Sequence, residues 1–233
     1  MNGCAFSIII PCCNEAGVIV AALERLQPLR ERGTEVIVVD GGSSDSSAAL
    51  AAPLTDRLLS APRGRASQMN AGAAVARGAV LLFMHADCAL PAGGDRLIAD
   101  GLRASGRRWG RFDVSLRGAH PLLPVIACMM NWRSRLTGIA TGDQGVFVTR
   151  DLFDAAGGFP PIPLMEDIAL SKILKSHGAA LCLRERIAAS GRRWEERGVP
   201  GTIVLMWRLR LAYFLGADPA RLALRYDTPR SRH

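Results

Sequence analysis

Lysine is almost missing from this 233-residue chain: Lys172 and Lys175 are the only two. The net charge of +8 is therefore carried by arginine. Several patterns are missing outright. No stretch reaches the roughly 20 apolar residues of a transmembrane helix. The nearest, Val199 to Ala217, is interrupted by Arg208 and Arg210 and shows no clean amphipathic stripe. There is no Gly-x-Gly-x-x-Gly after the first apolar segment and no Gly-Lys-Ser/Thr loop, so the usual dinucleotide and P-loop readings lack their residues. The six cysteines (Cys4, Cys12, Cys13, Cys88, Cys128, Cys182) form no Cys-x-x-Cys pair, and no histidine cluster completes a zinc pattern. Basic residues do not interleave with aromatics, so nucleic acid is not an expected partner. No linker or low-complexity tract divides the chain. A chain of this length buries roughly 70–75% of its extended surface and needs no staples. With no signal peptide at the N-terminus, reduced thiols and a cytoplasmic setting are expected.

What is present begins with Val80-Leu81-Leu82-Phe83-Met84-His85-Ala86-Asp87, an apolar run that ends on a carboxylate. A run of about 4–8 apolar residues closed by polar ones reads as a strand buried on both faces. Glu35 to Val39 does the same and ends on Asp40. Further strands are expected at Phe6–Pro11, Arg57–Leu59, Trp109–Leu116 and Val146–Thr149. Helices are expected at Ala16–Arg32, after Ser43-Ser44-Asp45, and at Ala66–Arg77, Gly94–Arg103, Pro121–Leu136 and Glu166–Ser176. Strand–helix alternation over the first hundred residues predicts an α/β fold around a mostly parallel sheet. One domain over 1–233 is expected: a nucleotide-binding half to about 105, an acceptor half over 106–198, and basic apolar helices over 199–233. Ser-Gly-Arg-Arg-Trp occurs at 105–109 and at 190–194, too short to be a structural repeat.

In open α/β sheets, ligands bind beyond the carboxyl ends of the strands. Asp87 is then a candidate ligand for Mg²⁺ or Mn²⁺, which take oxygen donors and bridge carboxylates to phosphates; the plainer alternative is a loop aspartate before Pro91. His85 either approaches the same ligand or is a structural hydrogen-bonding residue. Asp40 stands beside Gly41-Gly42 and either accepts a hydrogen bond from a nucleobase or holds a plain turn. Asp45 reads as a helix cap. Glu166-Asp167 opens a helix; such acids either complement the helix dipole or supply a general base when burial or neighbouring charge raises a pKa. From Arg184 onward, eleven arginines face five acids, a local excess of six. That suits an anionic partner such as a diphosphate or acidic lipid.

Taken together and in order, these segments resemble the family 2 glycosyltransferases of GT-A fold. The matching pieces are Ser7-Ile8-Ile9-Ile10-Pro11 with Asn14-Glu15, Val38 to Asp45, Arg63 to Gly72, and Phe83 to Asp87. Further on are Gly110 to Val114, Thr141-Gly142-Asp143-Gln144 and Met165-Glu166-Asp167. The resemblance spans about residues 6–226 and is nearest to a bacterial subgroup described as selenodomain-associated transferases.

The resemblance implies a single mixed, mostly parallel sheet flanked by helices, a nucleotide-sugar donor (UDP- or GDP-sugar), and inverting transfer to an acceptor hydroxyl. Asp40 would contact the base, with Pro11 and Glu15 lining that pocket. Arg65 and Asn70 would hold the nucleotide. Asp143 and Gln144 lie in a matching motif and are carried over as substrate-binding. Asp87, last of the family's Asp-x-Asp motif, would bind the metal, Mg²⁺ or Mn²⁺. His85 replaces the motif's first Asp, which tends to face the ribose. Asp167, beside Glu166, would be the general base. Arg193 and Trp194 stand where relatives carry Gln-x-x-Arg-Trp, of which only Arg-Trp is present. The basic apolar segment 199–215 points to peripheral membrane contact at the inner face and to a lipid-linked acceptor. The competing classes are a nucleotidyltransferase, whose Gly-rich basic signature after the first strand is missing, and a non-catalytic nucleotide-sugar binder.

Overall fold

A computed structural model describes residues 6–227, the side chains of Arg193, Glu196, Arg197 and Asp227 excepted. Its strands are β1 (Phe6–Cys12), β2 (Glu35–Asp40), β3 (Arg57–Ser60), β4 (Val80–Phe83), β5 (Trp109–Arg117), β6 (Val146–Thr149) and β7 (Leu181–Ser190). The helices are α1 (Ile19–Glu24), α2 (Gln27–Arg30), α3 (Ser47–Ala51), α4 (Arg65–Val75), α5 (Gly94–Ser105) and α6 (Leu123–Thr137). They continue as α7 (Arg150–Ala155), α8 (Glu166–Ser176), α9 (Arg192–Arg197), α10 (Val199–Phe214) and α11 (Pro219–Asp227).

The strands form one sheet in the order β3-β2-β1-β4-β6-β5-β7. Only β6 runs against its neighbours; the β1–β2, β2–β3, β1–β4 and β5–β7 pairs are parallel. The sheet is thus mixed and mostly parallel, as expected. The reversal has a consequence for chemistry: the amino end of β6 meets the carboxyl ends of β1, β4 and β7 at one edge.

The period of two along a strand builds the two faces of the sheet. Ile8, Ile10, Val36, Val38 and Leu82 face one apolar layer, with Leu23, Ile98, Ile126 and other residues of α1, α5 and α6. Ile9, Ile37, Val39, Leu81 and Phe83 face the other, with Met69, Leu152 and Leu170 from α4, α7 and α8. Both faces are covered, which is why β1 and β2 are buried throughout.

Two expectations need correction. The single helix expected over Ala16–Arg32 is two, α1 and α2. Pro28 has no N–H to continue α1, and its ring collides with the carbonyl four residues back, at Glu24, where α1 ends. Strand β7 was not anticipated, because Arg184-Glu185-Arg186 breaks its apolar pattern. Those three are exposed where the register with β5 shifts, on the sheet's outer strand. The two Ser-Gly-Arg-Arg-Trp copies are no structural repeat, as expected: one runs from the end of α5 into β5, the other from β7 into α9.

Candidate active site

A cleft of about 710 Å³ opens at this edge. Its walls come from the end of β1 and the segment after it (Pro11, Cys12, Glu15), the start of α4 (Arg65, Gln68), the segment after β4 (His85, Asp87), the turn before β6 (Thr141–Asp143) and the start of α8 (Glu166, Asp167). Trp194, Arg192 and Arg210 close it from the C-terminal helices. Of the expected site residues, Pro11, Glu15, Arg65, His85, Asp87, Asp143, Glu166, Asp167 and Trp194 line this cleft. The Arg193 side chain lies outside the described residues.

Asp40, Asn70 and Gln144 do not line it. Asp40 is buried and accepts the N–H groups of Gly42 and Ser43, both at 3.0 Å, so it closes its own turn. Asn70 clips the backbone of Phe159: its amide donates to the carbonyl at 2.8 Å and its oxygen accepts the N–H at 2.9 Å. Gln144 is fully buried and accepts the N–H of Thr141 at 3.1 Å.

The first two sequence motifs are stitched together. Asn14 holds a left-handed backbone, φ 57°, which asparagine tolerates. Its Oδ1 accepts the Ser44 N–H at 2.8 Å and its own N–H donates to Ser43 Oγ at 2.9 Å. Glu15 N–H donates to Ser47 Oγ at 2.7 Å, and Ala16 N–H to Asp45 Oδ2 at 3.2 Å. Asp45 also accepts the Ser47 N–H at 2.9 Å at the start of α3, the structural role expected for it.

Among the described residues, Met165 is the other non-glycine residue with positive φ, 68°, and it immediately precedes Glu166-Asp167. Such strain is held only where packing over-determines it; Met165 is buried beside Leu164 and Ile168. The turn sets Asp167 against Gly142, whose N–H donates to Oδ2 at 2.9 Å. Glu166 is 3% exposed. Burial, and then the charge of Asp167, push its carboxyl up from the ordinary range, with Arg65 opposing at 3.8 Å.

His85 Nδ1 lies 3.2 Å from Asp143 Oδ1. The imidazole also occupies the space where a Cβ on Gly142 would sit, 2.4 Å from Nε2, so glycine is required there. Donor atoms of His85, Cys88 and Asp143 fall within 4.8 Å of one another. Burial and the charges of Asp143 and Asp87 push the Cys88 thiol well up, so it stays protonated. The imidazole of His85 and the carboxylate of Asp143 suit a divalent ion; Asp87 is not one of that trio but lies beside it, its Oδ1 3.7 Å from Cys88 Sγ. Asp143, which stands with His85 in the trio, is a residue the sequence reading assigned only to substrate.

Two arginines were missed. Arg210 of α10 and Arg133 of α6 sit near Asp167, and burial depresses both, Arg133 to about 10 with the nearby Arg210 adding to the effect. Arg210 shares a helical face with Thr202 and Met206, both of which line the cleft. That spacing of four is a signal the sequence already held.

A sheet of this order, with carboxylates at its parallel edge, defines a GT-A fold. Residues 7–107 match the family described as Glycosyl transferase family 2. Over 92 residues the chain is 39% identical to a PGL/p-HBAD biosynthesis glycosyltransferase of Mycobacterium bovis, 36% of each chain being covered. A Mycobacterium tuberculosis protein of the same description matches equally. The match thus spans about a third of those relatives' length. In fold the chain resembles the mannosyltransferase PcManGT from Pyrobaculum calidifontis in complex with GDP-Man and Mn²⁺, with TM-score 0.64 and 20% identity over 91% of this chain and 61% of that one. It also resembles S. aureus TarS 1-349 in complex with UDP-GlcNAc, with TM-score 0.65 and 16% identity over 80% of this chain and 58% of that one.

Proposed function

We propose that this protein is a metal-assisted, inverting glycosyltransferase that moves a sugar from a UDP- or GDP-sugar to an acceptor hydroxyl. The observation that carries this reading is that Asp87, after β4, and Asp167, opening α8, line one cleft at the sheet's parallel edge. The family match, and relatives and neighbours described as glycosyltransferases with nucleotide-sugar ligands, support it. The whole chain is read as one unit, with a donor half to about 105, an acceptor half over 106–198, and a C-terminal part over 199–233 whose described helices, α10 and α11, help to wall the cleft.

Transfer is a single in-line displacement. The sugar's anomeric C–O bond to the diphosphate breaks and its electron pair leaves with the nucleoside diphosphate. The acceptor oxygen bonds the same carbon from the opposite face, which inverts it. The acceptor proton passes to Asp167, a step typically contributing about 10²–10⁴-fold. Gly142 orients that carboxylate through its N–H. Arg65, Arg192 and Arg210 put positive charge around the leaving group. A divalent ion held by Asp87, with His85 and Asp143 beside it, would neutralise the diphosphate charge. Pro11 and Glu15 line the nucleotide end and Trp194 the acceptor end.

The test is Asp167→Asn, assayed by release of nucleoside diphosphate and by donor binding. Turnover should fall about 10²–10⁴-fold while donor affinity stays within a few-fold. Near-wild-type turnover removes Asp167 from the role of base. Donor binding with no turnover in the wild type, across a panel of acceptors, favours a non-catalytic nucleotide-sugar binder.

A further inference from the structure

Among the described residues, twelve large apolar side chains are exposed, and eleven of them lie on or at the ends of α6, α10 and α11; only Leu50 lies elsewhere. On α6 they are Leu122, Val125, Met129, Trp132 and Leu136, steps of three and four that make one continuous stripe. On α10 they are Val204, Trp207, Leu211 and Phe214 with Leu215, the same spacing, and Leu224 extends it on α11. α10 packs on α11, and Arg133 of α6 lies close enough to Arg210 of α10 to feel its charge. The buried edge of α6 and Val199 of α10 share one apolar cluster, and Leu209 of α10 packs with Leu222 of α11 in another. Scattered exposed apolar residues need no explanation, but contiguous stripes mark a partner surface.

The charges around the stripes identify the partner. The exposed charged side chains described on these helices are Arg135, which pairs with Asp113 at 2.7 Å, and Arg208, Arg221 and Arg225, all positive; exposed acids stand at the margins, Asp218 in the turn before α11 and Glu195, which accepts the N–H groups of Ala119 and His120 just before α6. A second copy docking on the same face would set these arginines against their own images. Anionic headgroups complement them, and tryptophan at mid-stripe is the side chain that favours the bilayer interface. No helix among the described residues is long and apolar enough to cross a membrane.

We propose that α6, α10 and α11 form a docking face for the surface of an anionic lipid bilayer, with the acceptor end of the cleft beside it. The same α10 supplies Thr202, Met206 and Arg210 to the cleft wall. A lipid-anchored acceptor held at headgroup level would therefore meet Asp167 without leaving the membrane. That second statement rests on the transferase reading; docking itself does not.

The experiment is flotation of the full chain with vesicles of phosphatidylglycerol and phosphatidylcholine, against phosphatidylcholine alone, with tryptophan emission recorded in parallel. Trp132 and Trp207 are 65% and 63% exposed, whereas Trp109 is buried, so insertion shifts emission to the blue. Expected are binding to anionic vesicles at least about tenfold tighter than to neutral ones, and loss of that margin at high salt. The double variant Trp132→Ala/Trp207→Ala should lose about tenfold in binding and lose the blue shift, while Leu50→Ala floats as wild type. Circular dichroism and donor binding should match wild type in both, which separates docking from folding and from the transferase reading. No flotation on anionic vesicles, or flotation unchanged in the double variant, overturns the proposal. So does a wild-type dimer by light scattering that the double variant abolishes, since the face then belongs to a second copy.

Discussion

Glu35 opens β2 with a charge ahead of four apolar residues, and it is 3% exposed. Burial opposes its ionisation, but the Ser7 hydroxyl at 2.6 Å and the Arg77 N–H at 2.8 Å and guanidinium at 3.0 Å outweigh it and lower its pKa below the ordinary 4.5. Its stabilisation is therefore present above that ordinary value and lost as pH falls through the lower, folded one. Glu35→Ala should cost about 1.5–3 kcal/mol at neutral pH, the size of charged hydrogen bonds lost. Urea titrations at pH 7 and pH 3 check it, the difference between variant and wild type shrinking at the lower pH. At this scale the sequence singled out Asp87, which ends an apolar run, and Asp167, which opens a helix, and both line the cleft. It was less readable where a polar side chain is held by backbone groups of the fold. The Asn70 clip on Phe159 joins residues far apart in the chain, whereas for Asp40 the neighbouring glycines already offered the plain turn.

Helix α4 crosses over β1 and β2 at Gly72, where an added Cβ would lie 2.5 Å from Ile9 Cγ2 and 3.0 Å from Val39 Cγ2. Alanine there gains about 0.5–1 kcal/mol in helix propensity. Overpacking against two β-branched side chains, which have little rotamer freedom, costs about 1–3 kcal/mol. Gly72→Ala should therefore be net destabilising, read as a lower urea midpoint at unchanged slope; a higher midpoint would show that the helix can lift off the sheet at little cost. Elements with one strong pattern, such as β1, β2, β4 and α8, were legible from spacing. The break between α1 and α2 follows from Pro28, which the helical periodicity of Val20, Leu23, Leu26 and Leu29 concealed. Strand β7 was hidden because an outer strand with a register shift can expose three charged residues in a row.

For the molecule as a whole, donor binding and stability are linked. A donor sugar-nucleotide at 100 times its Kd adds about 2.7 kcal/mol. In a chain of this size each kcal/mol moves Tm by about 2–4 °C, so the matching donor should raise Tm by about 5–10 °C. A thermal-shift panel of UDP- and GDP-sugars identifies it, and chelation should remove most of the shift, with Mn²⁺ restoring it. An equal shift with chelator present would take the divalent ion out of donor binding. The sequence by itself determined the alternation of strands and helices, the carboxylates that end apolar runs, and the excess of arginine, because each is a property of neighbours along the chain. Only the tertiary structure decided which of those carboxylates share a cleft, because the reversal of β6 brings Thr141–Asp143 to the edge that carries Asp87. It also decided that Arg210 turns inward while Trp207 turns outward on one apolar helix, since burial depends on what packs against each face rather than on hydrophobicity along it.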